Sequence, residues 1–191
     1  MEHKNHLSLR IVNSILLLAS LGLCIIAMIK NSSDTSAFGS NPLTTICDVL
    51  NILMLAFGLV YMLMNYSKNA AIIYKAYFVM LYIGIFVQAI LLPSAPYFNT
   101  TYLLIFNLIS LSAVAVLSVA SDLGRKKSFL FATLFVLCRL VLLITFIVKV
   151  PGYGTATIGV VSAGVSNFLI ALTTGVMVIG KYLDKNERET K

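Results

Sequence analysis

Six stretches of this chain, about 11–29, 45–66, 72–92, 101–120, 128–148 and 157–180, carry apolar side chains almost without interruption. Each is near the ~20 residues that an α-helix needs to cross a bilayer core. Backbone groups inside lipid find no water, so a spanning segment must satisfy its own hydrogen bonds, as a helix or as part of a closed barrel. Barrel strands read as short alternating segments, whereas these runs are continuous. The sequence therefore predicts an all-α, polytopic membrane protein: a compact bundle of six transmembrane helices forming one domain over residues 1–191. The first stretch, Ile11 to Ile29, is long enough to span and has no A-x-A-like exit, so it is read as the first helix and not as a cleaved signal.

Composition points the same way. Hydrophobic residues make up 59% of the 191 and charged residues 11%, against roughly 45–50% and about 25% in soluble domains. So much apolar surface needs lipid as its solvent, and the bilayer is the first partner expected of the chain. The net charge of +7 follows from topology. With the N-terminus inside, eleven of the 14 basic residues fall on the inner side, only Lys30 and Lys149 on the outer, and Arg139 inside a span. That asymmetry is the positive-inside signal, and it predicts both termini in the cytoplasm. The basic excess then faces an anionic leaflet, which leaves no need to invoke nucleic acid. Short loops and compactness point to a cell membrane of the bacterial cytoplasmic kind. Tyrosines replace the missing tryptophans near the boundaries, among them Tyr97, Tyr102 and Tyr153 outside and Tyr66, Tyr74 and Tyr182 inside.

Arg139 is the residue that most demands an explanation. It stands close to the middle of the fifth stretch, where a charge costs about 2.5–3.5 kcal/mol on insertion scales. It is expected to face other helices, water or a ligand. It is read either as an anion-binding or ion-pathway residue, or as a structural arginine paired to helix carbonyls or an acid. Asp48, the acid within a span, could be that partner. Alternatively, Thr45 to Asp48 fits a capping box at the start of the second helix.

Spacing of three and four places Asp48, Asn51, Leu55, Gly58, Met62 and Asn65 on one face of the second helix, and Asn13, Leu17, Ser20, Cys24 and Ala27 on one face of the first. Both faces are small or polar and should point into the bundle. On the sixth helix Gly159, Ala163, Asn167, Ala171 and Gly175 recur every four residues. Small residues at that spacing let helices approach closely, so this is read as a packing face interrupted by Asn167. Tyr82, Arg139 and Asn167 are expected near the midplane, with Asp48, Asn51, Gln88 and Asn107 above them. Together they suggest a polar cavity opening outward.

Other chemistry is missing. The chain has no G-x-S-x-G, H-E-x-x-H or P-loop, and no enzyme activity or cofactor is expected. Cys24, Cys47 and Cys138 show no paired spacing, and His3 and His6 sit at the N-terminus, so neither a metal site nor a disulfide framework is expected. The triplets at Asn31, Asn65 and Asn99 that match a glycosylation acceptor are read as chance, since Asn65 falls inside. Arg125, Lys126 and Lys127 form the most charged inner segment, read as a topology anchor or as a docking site for a cytoplasmic partner or anionic lipid.

Length and helix count look similar to those of the substrate-binding subunits of energy-coupling-factor transporters, a likeness of fold alone. Those subunits tend to carry A-x-x-x-A in the first helix for docking, and Ser14 to Ala27 lacks it. The leading expectation from the residues is a protein that binds or transports a small, anionic solute. The alternatives are a non-catalytic membrane partner or scaffold subunit, and a small oligomeric channel with Arg139 in its pore.

Overall fold

A computed structural model of the chain describes residues 2–32, 42–64, 68–91, 101–119, 124–149 and 157–189. They form six helices: α1 (Glu2–Ser32), α2 (Pro42–Leu63), α3 (Lys68–Leu91), α4 (Thr101–Val119), α5 (Arg125–Lys149) and α6 (Thr157–Glu189). Five contain segments long and apolar enough to cross a membrane: Ser8–Lys30, Pro42–Leu63, Ala71–Leu91, Arg125–Val148 and Ile158–Lys181. The apolar part of α4, Leu103–Ser118, is shorter. The loop prolines, Asp122 and the tyrosines at 66, 97 and 153 lie outside the described residues.

α2 begins at Pro42, which corrects the capping-box reading. A proline suits the first helical position, where its missing N–H would have no partner in any case. Thr45 is thereby exposed within the helix, and Asp48 is buried a turn further in.

Each helix packs against its neighbours in sequence, and α1 closes the ring against α6. In this ring α3 and α6 stand opposite each other. Among the described residues the exterior is apolar, unlike a soluble bundle's, and the interior mixes apolar with polar side chains. Ile11, Ile15, Leu18, Val60, Ile72, Leu130 and Val148 point outward and are exposed, while Asn13, Ser20, Asn51, Asn107, Ser110, Ser166, Thr173 and Thr174 are buried. Lipid accepts the first set at no cost, whereas polar groups are cheaper against other helices, where partners exist.

The inward face of α1 is the stripe of Asn13, Leu17, Ser20, Cys24 and Ala27, each buried. Small members of that stripe meet small members of α6: Ser166 Oγ donates to the Ser20 carbonyl at 3.0 Å, and the Cys24 thiol reaches Ser166 Oγ at 3.0 Å. On α2, Asp48, Asn51, Leu55, Gly58 and Met62 are likewise buried, and Asn65 lies outside the described residues. The absence of a side chain at Gly58 admits Leu17 and Tyr77: a Cβ there would stand 2.9 Å from Leu17 Cδ2 and 3.3 Å from Tyr77 Cε2.

The bundle has two unlike halves. Toward the C-terminal end of α2 the centre is filled by aromatic rings. Tyr61 and Tyr74 lie 5.4 Å apart between centroids, Tyr74 and Phe78 4.7 Å, and Tyr77 and Phe78 5.5 Å edge to face. Threonines 173 and 174 donate to the Ile170 carbonyl at 2.8 Å. Their oxygens are therefore left to accept the Tyr77 hydroxyl, 2.9 Å from Thr174 Oγ1, across the bundle. At this end Arg10 donates to the Met62 carbonyl, close to the terminus of α2 where backbone acceptors lack intrahelical partners. The other half, toward the N-terminal end of α2, is not filled.

A polar cavity around Arg139

A cavity of about 80 Å³ occupies the second half, walled by α1, α2, α3, α5 and α6. It runs from Asn51, Arg139 and Asn167 to Thr44, Leu91 and Val160, near the end at which α1 and α3 finish and α2 and α6 begin. Five of the residues singled out from the sequence meet there: Asp48, Asn51, Gln88, Arg139 and Asn167.

Arg139 is only 5% exposed. Its guanidinium lies 5.5 Å from the centroid of Phe135, one turn earlier on α5, and Nη1 donates to Gln88 Oε1 at 2.8 Å. Gln88 Nε2 then donates to Asn167 Oδ1 at 3.0 Å. The direction of this chain is set by its first member. A guanidinium has donors and no acceptor, so Gln88 must turn its oxygen to Arg139 and its amide to α6. Asn167 must in turn present its oxygen to Gln88, which leaves Asn167 Nδ2 as the donor end. The relay ties α5, α3 and α6 together and crosses the ring between the opposed helices.

Arg139 Nη2 has no partner, although it is buried. A buried donor left unmet costs about 1–3 kcal/mol, and more when charged. This side of the cavity thus holds a buried cation with one donor unsatisfied.

The opposite wall is α2. Thr44, Asp48 and Asn51 are spaced four and three apart, lie on one helical face, and are all buried against the cavity. The remaining surface is apolar, contributed by Leu91, Leu142, Leu143, Phe146 and Val160.

Two expected members are elsewhere. Tyr82 is 37% exposed and looks outward, because the inward face of α3 runs through Tyr74, Phe78, Leu81, Ile85 and Leu91, and Tyr82 is turned about 100° from Leu81. Asn107 is fully buried on α4, but neither of its amide atoms has a partner and it does not reach the cavity. The expected packing stripe of α6 is also divided. Gly159 and Ala171 are buried, Ala163 and Asn167 line the cavity, and Gly175 stands 3.8 Å, from an added Cβ, to Val136 Cγ2. The tightest approach falls on Gly164, where a Cβ would come 2.6 Å from Phe146 Cδ2. Gly164 and Cys47 were not singled out from the sequence, though Cys47 sits beside Asp48 and Gly164 beside Ala163. Arg125, Lys126 and Lys127 are exposed in the first turn of α5, far from the cavity in sequence and at the opposite end of that helix.

The chain matches no family model, no curated protein and no solved structure.

Proposed function

We propose that the chain is an integral membrane protein of six spans, with both termini in the cytoplasm, that binds a small solute through an anionic group and carries it across the membrane. One observation supports the reading above the others: Arg139, a buried cation whose Nη2 has no partner, is among the residues that line an 80 Å³ cavity. An arginine retained for structure alone would be expected to use both ends of its fork. Here one end is fixed by Gln88 and the other has no protein partner. A carboxylate or similar anion at that point gains a charge-assisted hydrogen bond, and Asn167 Nδ2 supplies a second neutral donor.

With the N-terminus inside, the cavity lies in the outer half of the bundle and the aromatic cluster seals the inner half. Passage to the cytoplasm then requires Tyr61, Tyr74 and Phe78 to part. No enzyme role is proposed. The scaffold alternative drew on the small faces of α1 and α6; the α1 face is turned inward and meets Ser166 of α6, and the α6 face is divided between the cavity and α5. Arg125, Lys126 and Lys127 remain the segment on which a cytoplasmic partner or an anionic leaflet would act.

The test is calorimetric titration of propionate into the purified chain in nanodiscs. Binding is expected, and Arg139→Ala should weaken it about ten- to hundredfold, the loss expected from a hydrogen bond to a charged group, with the elution profile of the folded protein unchanged. Equal binding by the variant, or no binding of any carboxylate-bearing solute by the original chain, would overturn the reading and leave a partner role as the better account.

A further inference from the structure

The cavity has walls of opposite character. Arg139 and Asn167 make a donor wall on α5 and α6. Across from it, α2 presents the Thr44 hydroxyl, the Asp48 carboxylate and the Asn51 amide on a single face. Arg139 and Asp48 are the two residues of opposite formal charge in the lining, and they come from helices that are not neighbours in the ring. A simple anion would satisfy Arg139 but meet the like charge of Asp48 inside a space with little water. A simple cation would meet the converse. Only a solute bearing both charges is matched to both walls.

Size narrows the class. The cavity of about 80 Å³ is well above the ~10–15 Å³ that a single water fills, and it suits a small molecule. The apolar strip of Leu142, Leu143, Phe146 and Val160 suits a short hydrocarbon chain between or beside the charged ends. We infer that the solute is a small zwitterion of the amino-acid type, its carboxylate on Arg139 and its ammonium on the Asp48 face of α2. This rests on the reading of the cavity as a solute site and names the solute's chemistry.

The full chain in nanodiscs, titrated calorimetrically with matched compounds, decides it. L-alanine, β-alanine and γ-aminobutyrate carry both charges, propionate only the negative one, propylamine only the positive one, and propionamide neither. At least one zwitterion should bind tenfold or more tightly than propionate, propylamine and propionamide. Asp48→Asn should weaken that zwitterion at least tenfold and tighten propionate, since a like charge has been removed, so that the preference is lost even if the variant is less stable. If propionate binds as well as every zwitterion, the inference fails while the anion site stands. If propionamide binds best, neither charge directs recognition and both readings fail. If none of the six binds, the solute site itself is refuted.

Discussion

At the scale of single residues, Arg139 and Asn107, two of the four buried polar side chains with an unpaired atom among the described residues, differ in their surroundings. Arg139 lines a cavity and has one end of its fork held by Gln88, while Nη2 is enclosed and unpaired. Asn107 is 0% exposed with both amide atoms unpaired, and it is not among the residues that line that cavity. Each unmet group carries a desolvation cost, and replacing it with an apolar residue of similar shape removes that cost. Asn107→Leu is therefore expected to stabilise the bundle by about 1–3 kcal/mol, seen as a higher unfolding temperature in detergent, with solute binding unchanged. A stabilised variant that no longer binds would instead assign Asn107 to the site. The sequence shows both residues as polar groups within apolar stretches and cannot separate them. What separates them is whether a void lies alongside, and voids arise from the joint shape of several helices.

At the scale of helices, much was legible and the missing part has a definite cause. Periodicity identifies the inward faces of α1 and α2 down to individual residues, because a single helix turned toward a bundle repeats its polar and small positions every three or four residues. The same reasoning, applied along α3 from Tyr74 through Leu81 to Leu91, would have turned Tyr82 outward. The relay from Arg139 through Gln88 to Asn167 was beyond such reading. It depends on the relative heights of α3, α5 and α6, and no pattern within one helix reports its register against a helix on the far side of the ring. The same limit hid Gly164, whose role comes from Phe146 on α5 and not from its neighbours on α6. Two glycine substitutions separate the halves. Gly58→Ala pushes on Leu17 and Tyr77 in the filled half, and should cost about 1–3 kcal/mol of stability, the usual range for overpacking, while solute affinity is kept. Gly164→Ala displaces Phe146, which lines the cavity, and should weaken solute binding severalfold. Thermal unfolding and calorimetry on both variants measure this, with Gly22→Ala as a neutral comparison because nothing lies within 4 Å of a Cβ there. Identical effects of the two substitutions would mean that the halves do not behave separately.

At the scale of the molecule, the number of spans fixes which side each terminus occupies, so orientation tests the fold as a whole. An even number returns the chain to the side on which it began. The question turns on α4, whose apolar segment Leu103–Ser118 is the shortest of the six. Its 19 helical residues measure about 28 Å at 1.5 Å per residue, close to the ~30 Å of a bilayer core. It also packs between α3 and α5 as a full member of the ring. Charge argues for the side. Arg125, Lys126 and Lys127 occupy the first turn of α5, where the helix dipole disfavours cations. Their position is better explained by attraction to an anionic cytoplasmic leaflet than by helix stability. A green fluorescent protein fused to either terminus is therefore expected to fluoresce, and alkaline phosphatase fused to either is expected to be inactive. Termini on opposite sides would mean five spans and an α4 that does not cross, which would break the ring that encloses the cavity. Both termini outside would preserve the ring and turn the cavity toward the cytoplasm, so that solute would load from within the cell.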